Sequence, residues 1–117
     1  MVSREEIEER ALSTLSTREQ DKSVIYLDTK ELPAGSIIDI DGSEVRLPWK
    51  GTLVFIDMEP QANWGHSCRY LLFDRTSGEM LSFEAQFPPY LRGPSETLTL
   101  LWRGPSAPDW AVATHAQ

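Results

Sequence analysis

Two stretches of this chain, residues 52–58 and 68–74, are apolar at both parities, and nothing else constrains the fold as tightly. In the first, Leu53 and Phe55 alternate with Val54, Ile56 and Met58; in the second, Tyr70 and Leu72 alternate with Leu71 and Phe73. Successive side chains of a strand point to opposite faces. A strand that is apolar on both faces has to be covered on both sides, so each run belongs inside a sheet with a layer above and a layer below.

The runs around them read as strands of other kinds. Residues 80–87 alternate cleanly, with Leu81, Phe83, Ala85 and Phe87 facing in and Ser82, Glu84 and Gln86 facing out. That is the signature of a half-exposed strand, and Pro88-Pro89 ends it because proline cannot donate to a ladder. Residues 24–28 form another strand, and residues 97–103 a last one, with Leu98, Leu100 and Trp102 expected on one face. Residues 36–40 and 43–47 flank Asp41-Gly42, a strong two-residue hairpin signal. In that register Ile38 faces Val45, and Asp39 sits opposite Glu44, a like-charge pair that belongs in solvent. Asp39, Asp41, Ser43 and Glu44 offer oxygens at this tip, but their spacing departs from a calcium-binding loop, and a solvated turn is the expectation.

Ahead of the strands, Ser3-Arg4-Glu5-Glu6 carries the spacing of a capping box. Ile7, Ala11 and Leu15 recur at four-residue intervals, which predicts an amphipathic helix over about residues 4–15. The polar residues 16–23 read as a linker. The sum is a mainly β, single-domain antiparallel β-sandwich or partly closed barrel of about seven strands with an N-terminal amphipathic helix. There is no room between strands for the crossover helices of a parallel sheet. The expected organisation is an N-terminal helix and linker over residues 1–22, the β domain over 23–104 and a flexible C-terminal tail over 105–117, with 117 residues enough for one core.

Charge narrows the partners. The formal net charge is -7, and no third of the chain is net basic. Clustered Lys and Arg are needed to neutralise phosphates, so neither nucleic acid nor an anionic membrane is expected. No run is long and apolar enough to be read as a membrane helix. A single cysteine permits no internal disulfide and no cysteine-rich zinc site, which suits a cytoplasmic protein. Phosphate-loop, dinucleotide, zincin and nucleophile-elbow motifs are absent from the sequence.

Reactive residue types concentrate between the two central runs. Asp57, Glu59, Asn63, Trp64, His66, Cys68 and Tyr70 fall within one short stretch, and residues 60–67 make a longer connection than a tight hairpin needs. His66 and Cys68 share a parity, as do Asp57 and Glu59. Three readings follow. In the structural one, Cys68 is a small core residue, His66 hydrogen-bonds a loop carbonyl and Trp64 plugs one end of the sandwich. In the second, Asp57, Glu59, His66 and Cys68 hold a single transition metal such as zinc. In the third, Cys68 is a nucleophile with His66 as base and Asp57 as orienting acid. Trp64, Asn63 and Tyr70 are candidate ligand-binding residues, for a small ligand or a carbohydrate. The favoured function is a non-enzymatic module with no cofactor that binds a protein or peptide partner, with homo-oligomerisation as one form of that. Strand 80–87 and the N-terminal helix are the expected contact surfaces. A small metal- or thiol-dependent enzyme is the alternative.

Overall fold

The two doubly apolar runs become neighbouring inner strands of one sheet. The computed structural model describes residues 2–62, 65–89 and 97–112. Within them the chain forms helix α1 (Arg4–Ser13), helix α2 (Thr17–Lys22), and strands β1 (Val24–Asp28), β2 (Ile37–Ile40), β3 (Ser43–Arg46), β4 (Thr52–Asp57), β5 (Cys68–Phe73), β6 (Met80–Ala85) and β7 (Leu98–Arg103). Five strands make an antiparallel sheet in the order β6-β5-β4-β1-β7, and β2 and β3 make a separate hairpin. The large sheet is open, with β6 and β7 at its edges, so the architecture is two antiparallel sheets rather than a barrel.

Each face of the sheet has its own core. On one side Leu53, Phe55, Cys68, Tyr70, Leu72 and Leu98 pack under the hairpin residues Ile40, Val45 and Leu47. On the other side Ile25, Leu27, Val54, Ile56, Leu71 and Phe73 pack under Ile7, Ala11 and Leu15 of the N-terminal segment. The parity split anticipated for β4 and β5 is the split between these two cores. Every residue of β4 is buried, and each large apolar side chain taken from water contributes roughly 1.5–3 kcal/mol.

One transverse row crosses the hairpin-side core. Leu100, Tyr26, Phe55, Tyr70 and Phe83 are direct cross-strand partners in that order. Phe55 meets Tyr70 edge-on at 5.3 Å and stacks near Tyr26 at 6.1 Å between ring centroids. Aromatic pairs at these separations add to the stability from burial alone.

Two expectations need correction. Residues 17–22 are helical, not linker: Ser16 and Glu19 form a reciprocal capping box, the same S-x-x-E pattern that starts α1, repeated thirteen residues on. Trp102 does not share a face with Leu98 and Leu100. A bulge in β7 places Leu100 opposite Tyr26 but Trp102 opposite Ile25, so Leu101 and Trp102 join the helix-side core. In the described part of the tail, Ala107 and Val112 are buried in the hairpin-side core and Asp109–Ala111 form a 3-10 turn. Trp110 on that turn stays 72% exposed.

Candidate functional site

The stretch from Asp57 to Tyr70 closes back on itself. β4 and β5 pair directly, and Asp57 sits opposite Cys68. In the loop between them Met58 N donates to the Ser67 carbonyl at 3.3 Å, and Ser67 N donates to Glu59 Oε2 at 3.1 Å. Asp57 Oδ1 accepts from Glu59 N at 3.0 Å and from His66 Nε2 at 2.8 Å. Asp57 and His66 are both buried. A buried carboxylate is costly unless its oxygens are bonded, and His66 is one of the groups that meets that need.

Asp57, His66 and Cys68 come together on one face, as their parity requires, in buried surroundings. Cys68 has no exposed surface and lies in the hairpin-side core. Burial, followed by the negative charges of Asp57, Asp41 and Glu84, pushes its thiol up to about 12. Thiol nucleophiles work as thiolates in accessible, electropositive surroundings, and Cys68 has the opposite environment. Glu59 turns its carboxylate to the Ser67 amide. Among the described residues no three His, Cys, Asp or Glu side chains are disposed to hold a metal ion. Asn63 and Trp64 lie outside the described residues.

What the stretch does build is a support for residues 86 and 87, just beyond β6. His66 N donates to the Gln86 carbonyl at 2.7 Å, and the Tyr70 hydroxyl donates to the Phe87 carbonyl at 2.8 Å. From the other side Asp41, at the tip of the β2–β3 hairpin, accepts from Gln86 N at 2.7 Å and Phe87 N at 3.1 Å. All four backbone polar groups of these two residues are thus engaged. Gly65 completes the brace, since a Cβ there would stand 2.9 Å from the Phe87 ring.

The hairpin tip is therefore docked, not simply solvated. Asp41 adopts φ +53° and Gly42 φ +85°, the left-handed pair that a tight hairpin of this kind demands. Asp39 Oδ1 accepts from Gly42 N at 2.7 Å and steadies the turn. Asp41 is the better residue than asparagine here in one respect: its two oxygens each take one of the two amides.

Between the tip and the braced segment lies a cleft of about 530 Å³, lined by Asp39, Asp41, Gly42, Tyr70, Phe87, Pro88 and Pro89. Of the ligand-binding residues expected from sequence, Tyr70 is part of it. Asp39 and Asp41 were legible only as an acidic turn, and Phe87 only as the end of an alternating strand. The signal that joins them is tertiary, because the hairpin tip reaches residues more than forty positions away. Comparison of the chain with protein families, curated proteins and solved structures finds no match in any of the three.

Proposed function

We propose that this protein is a non-enzymatic module that binds an extended peptide segment of a partner at the cleft beside β6. The observation that carries the reading is the segment 86–87: its backbone is held at every polar atom, while Phe87 remains 41% exposed next to Pro88 and Pro89. An apolar side chain on a rigid support loses little entropy when a ligand covers it. Two features of the sheet support the same surface. β6 is an edge strand whose Leu81 and Phe83 are only partly buried, and open edges accept extended peptides. The opposite edge is less suited, because a bulge interrupts β7 and the Arg4 guanidinium donates to its Leu100 carbonyl at 2.9 Å.

Contact through α1 is not part of the proposal. Its apolar residues Ile7 and Ala11 are wholly used against the sheet. A thiol-dependent activity is likewise set aside on the burial of Cys68. The lone free cysteine suits a cytoplasmic setting, which we include in the proposal.

A displayed library of random dodecapeptides, panned against the full chain, tests the reading. Enriched peptides are expected to shift backbone amide resonances of residues 39–42, 81–85 and 86–89, and Phe87→Ser to weaken them at least about tenfold, as for a central interface residue. Failure to enrich any peptide, or shifts confined to the α1 face, would overturn it.

A further inference from the structure

We propose that the cleft is a receptor for one cationic side chain of the bound peptide, with arginine preferred; the inference rests on the peptide-binding reading. Among the described residues the lining carries two carboxylates, Asp39 and Asp41, and no basic residue. Among the described residues, neither forms an ion pair; the ion pairs there join Lys50 to Glu31, His66 to Asp57, Arg69 to Glu84 and Arg103 to Asp109. Among the described residues, their negative charge is offset by no ion pair. It is felt at the cleft floor, where the Tyr70 hydroxyl is pushed up first by burial, then by Cys68, and then by Asp41 and Asp39.

The carboxylates are also held in place. Asp39 accepts one backbone amide and Asp41 two. An ionised carboxylate has roughly four acceptor positions, so both retain capacity for a charged donor. The remaining walls are the Phe87 ring, Tyr70, Pro88 and Pro89. Such a surface suits the apolar stem of a long basic side chain, and an aromatic face attracts a cation lying over it. A guanidinium is planar, weakly hydrated and forked, so it can lie against a ring while donating to a carboxylate. Lysine offers the charge without that geometry. The net charge of -7 favours approach of a cation to the molecule as a whole.

The test titrates the full chain with N-acetyl-arginine methylamide and with its neutral isostere, N-acetyl-citrulline methylamide, following amide resonances. Saturable shifts at Tyr70, Phe87 and residues 39–42 are expected with the arginine probe, at least about threefold tighter than with citrulline, as one partly exposed charge contact implies. Higher salt is expected to narrow the difference. Asp39→Asn keeps an oxygen for the Gly42 amide, so it is expected to fold with an unchanged unfolding midpoint while losing the preference for arginine. Equal response to both probes, or an arginine preference that survives in both Asp39→Asn and Asp41→Asn, would overturn the inference. Saturation by calcium at the same residues, with no response to arginine, would overturn it too. If dodecapeptides bind at residues 86–89 without any arginine preference, the cation receptor falls and the peptide reading stands. If arginine saturates the cleft and no peptide is enriched, the peptide reading falls, and with it the assignment of the cation to a bound peptide.

Discussion

Cys68 and Tyr70 are neighbours on one face of β5, and both are held neutral by burial. The consequence for stability has a definite sign. Below pH 9.0, the ordinary value for a thiol, Cys68 is neutral in the folded and the unfolded chain alike. Between that pH and about 12 only the unfolded chain ionises it, so stability is lost as pH rises. Tyr70 acts in the same direction above its own ordinary value of 10.0. Urea midpoints are expected to fall steadily from pH 8.5 to 10.5, and to fall less in Cys68→Ala; a flat profile would contradict the burial. By the same argument iodoacetamide at pH 8 should label Cys68 only in denaturant. The Asp57–His66 bond is a second test at this scale. His66→Ala strands part of a buried carboxylate and is expected to cost about 3 kcal/mol in urea unfolding. His66→Gln, which retains an amide donor, should recover some of that loss; equal damage from both would mean that the bond to Asp57 contributes little.

At the scale of elements, the places of all seven strands follow from alternation and turn residues, because those signals are local, but β6 stops at Ala85 and leaves Phe87, expected to face in, exposed. The hairpin register is legible for the same reason: Ile38 pairs with Val45 and Asp39 with Glu44, as two-residue closure at Asp41-Gly42 requires. What the sequence hides is where one element uses another to satisfy its ends. Helix α2 shows this. Its terminal carbonyls are met from β7 and the turn after it: Trp102 Nε1 donates to Gln20 O at 3.1 Å, Ser106 N to Asp21 O at 2.9 Å and Gly104 N to Ser23 O at 2.8 Å. Gly104 is there for closeness, since a Cβ would stand 2.2 Å from the Asp21 carbonyl oxygen. Backbone cannot yield as a side-chain tip does. Gly104→Ala is therefore expected to lower thermal stability by more than Ser16→Ala, whose lost cap costs about 1 kcal/mol. The reverse order would show that α2 and β7 can separate cheaply. The candidate cleft is hidden for the same reason. Asp41 reads as a turn residue until the turn is placed against Gln86 and Phe87.

At the scale of the molecule, the N-terminal segment and the sheet share a layered core. The scattered arginines, uninformative as a charge pattern, explain the joining. Arg75 Nε donates to Val2 O at 3.1 Å, and Arg69 donates to Thr14 O at 2.6 Å while pairing with Glu84. Arg10 donates to Gly78 O and lies 5.2 Å from the Phe73 ring centroid. With Arg4 on Leu100 O, four guanidiniums tie the α1 segment to the sheet from both sides. No local pattern announces such contacts, because each partner is a backbone carbonyl or a ring far along the chain. The arrangement predicts that α1 and the sheet unfold as one unit. Ile7 is fully buried against Val54, Ile56 and Leu71 in the same core, so Ile7→Ala removes packing shared by both layers and is expected to cost about 2–5 kcal/mol. If the two layers are one cooperative unit, amide exchange in β4 and β5 should accelerate by the same factor as exchange in α1, and tryptophan fluorescence and far-UV circular dichroism should keep a common midpoint. Acceleration limited to α1, with β4 and β5 still protected, would mean that the helix opens alone and that the sheet is stable without it.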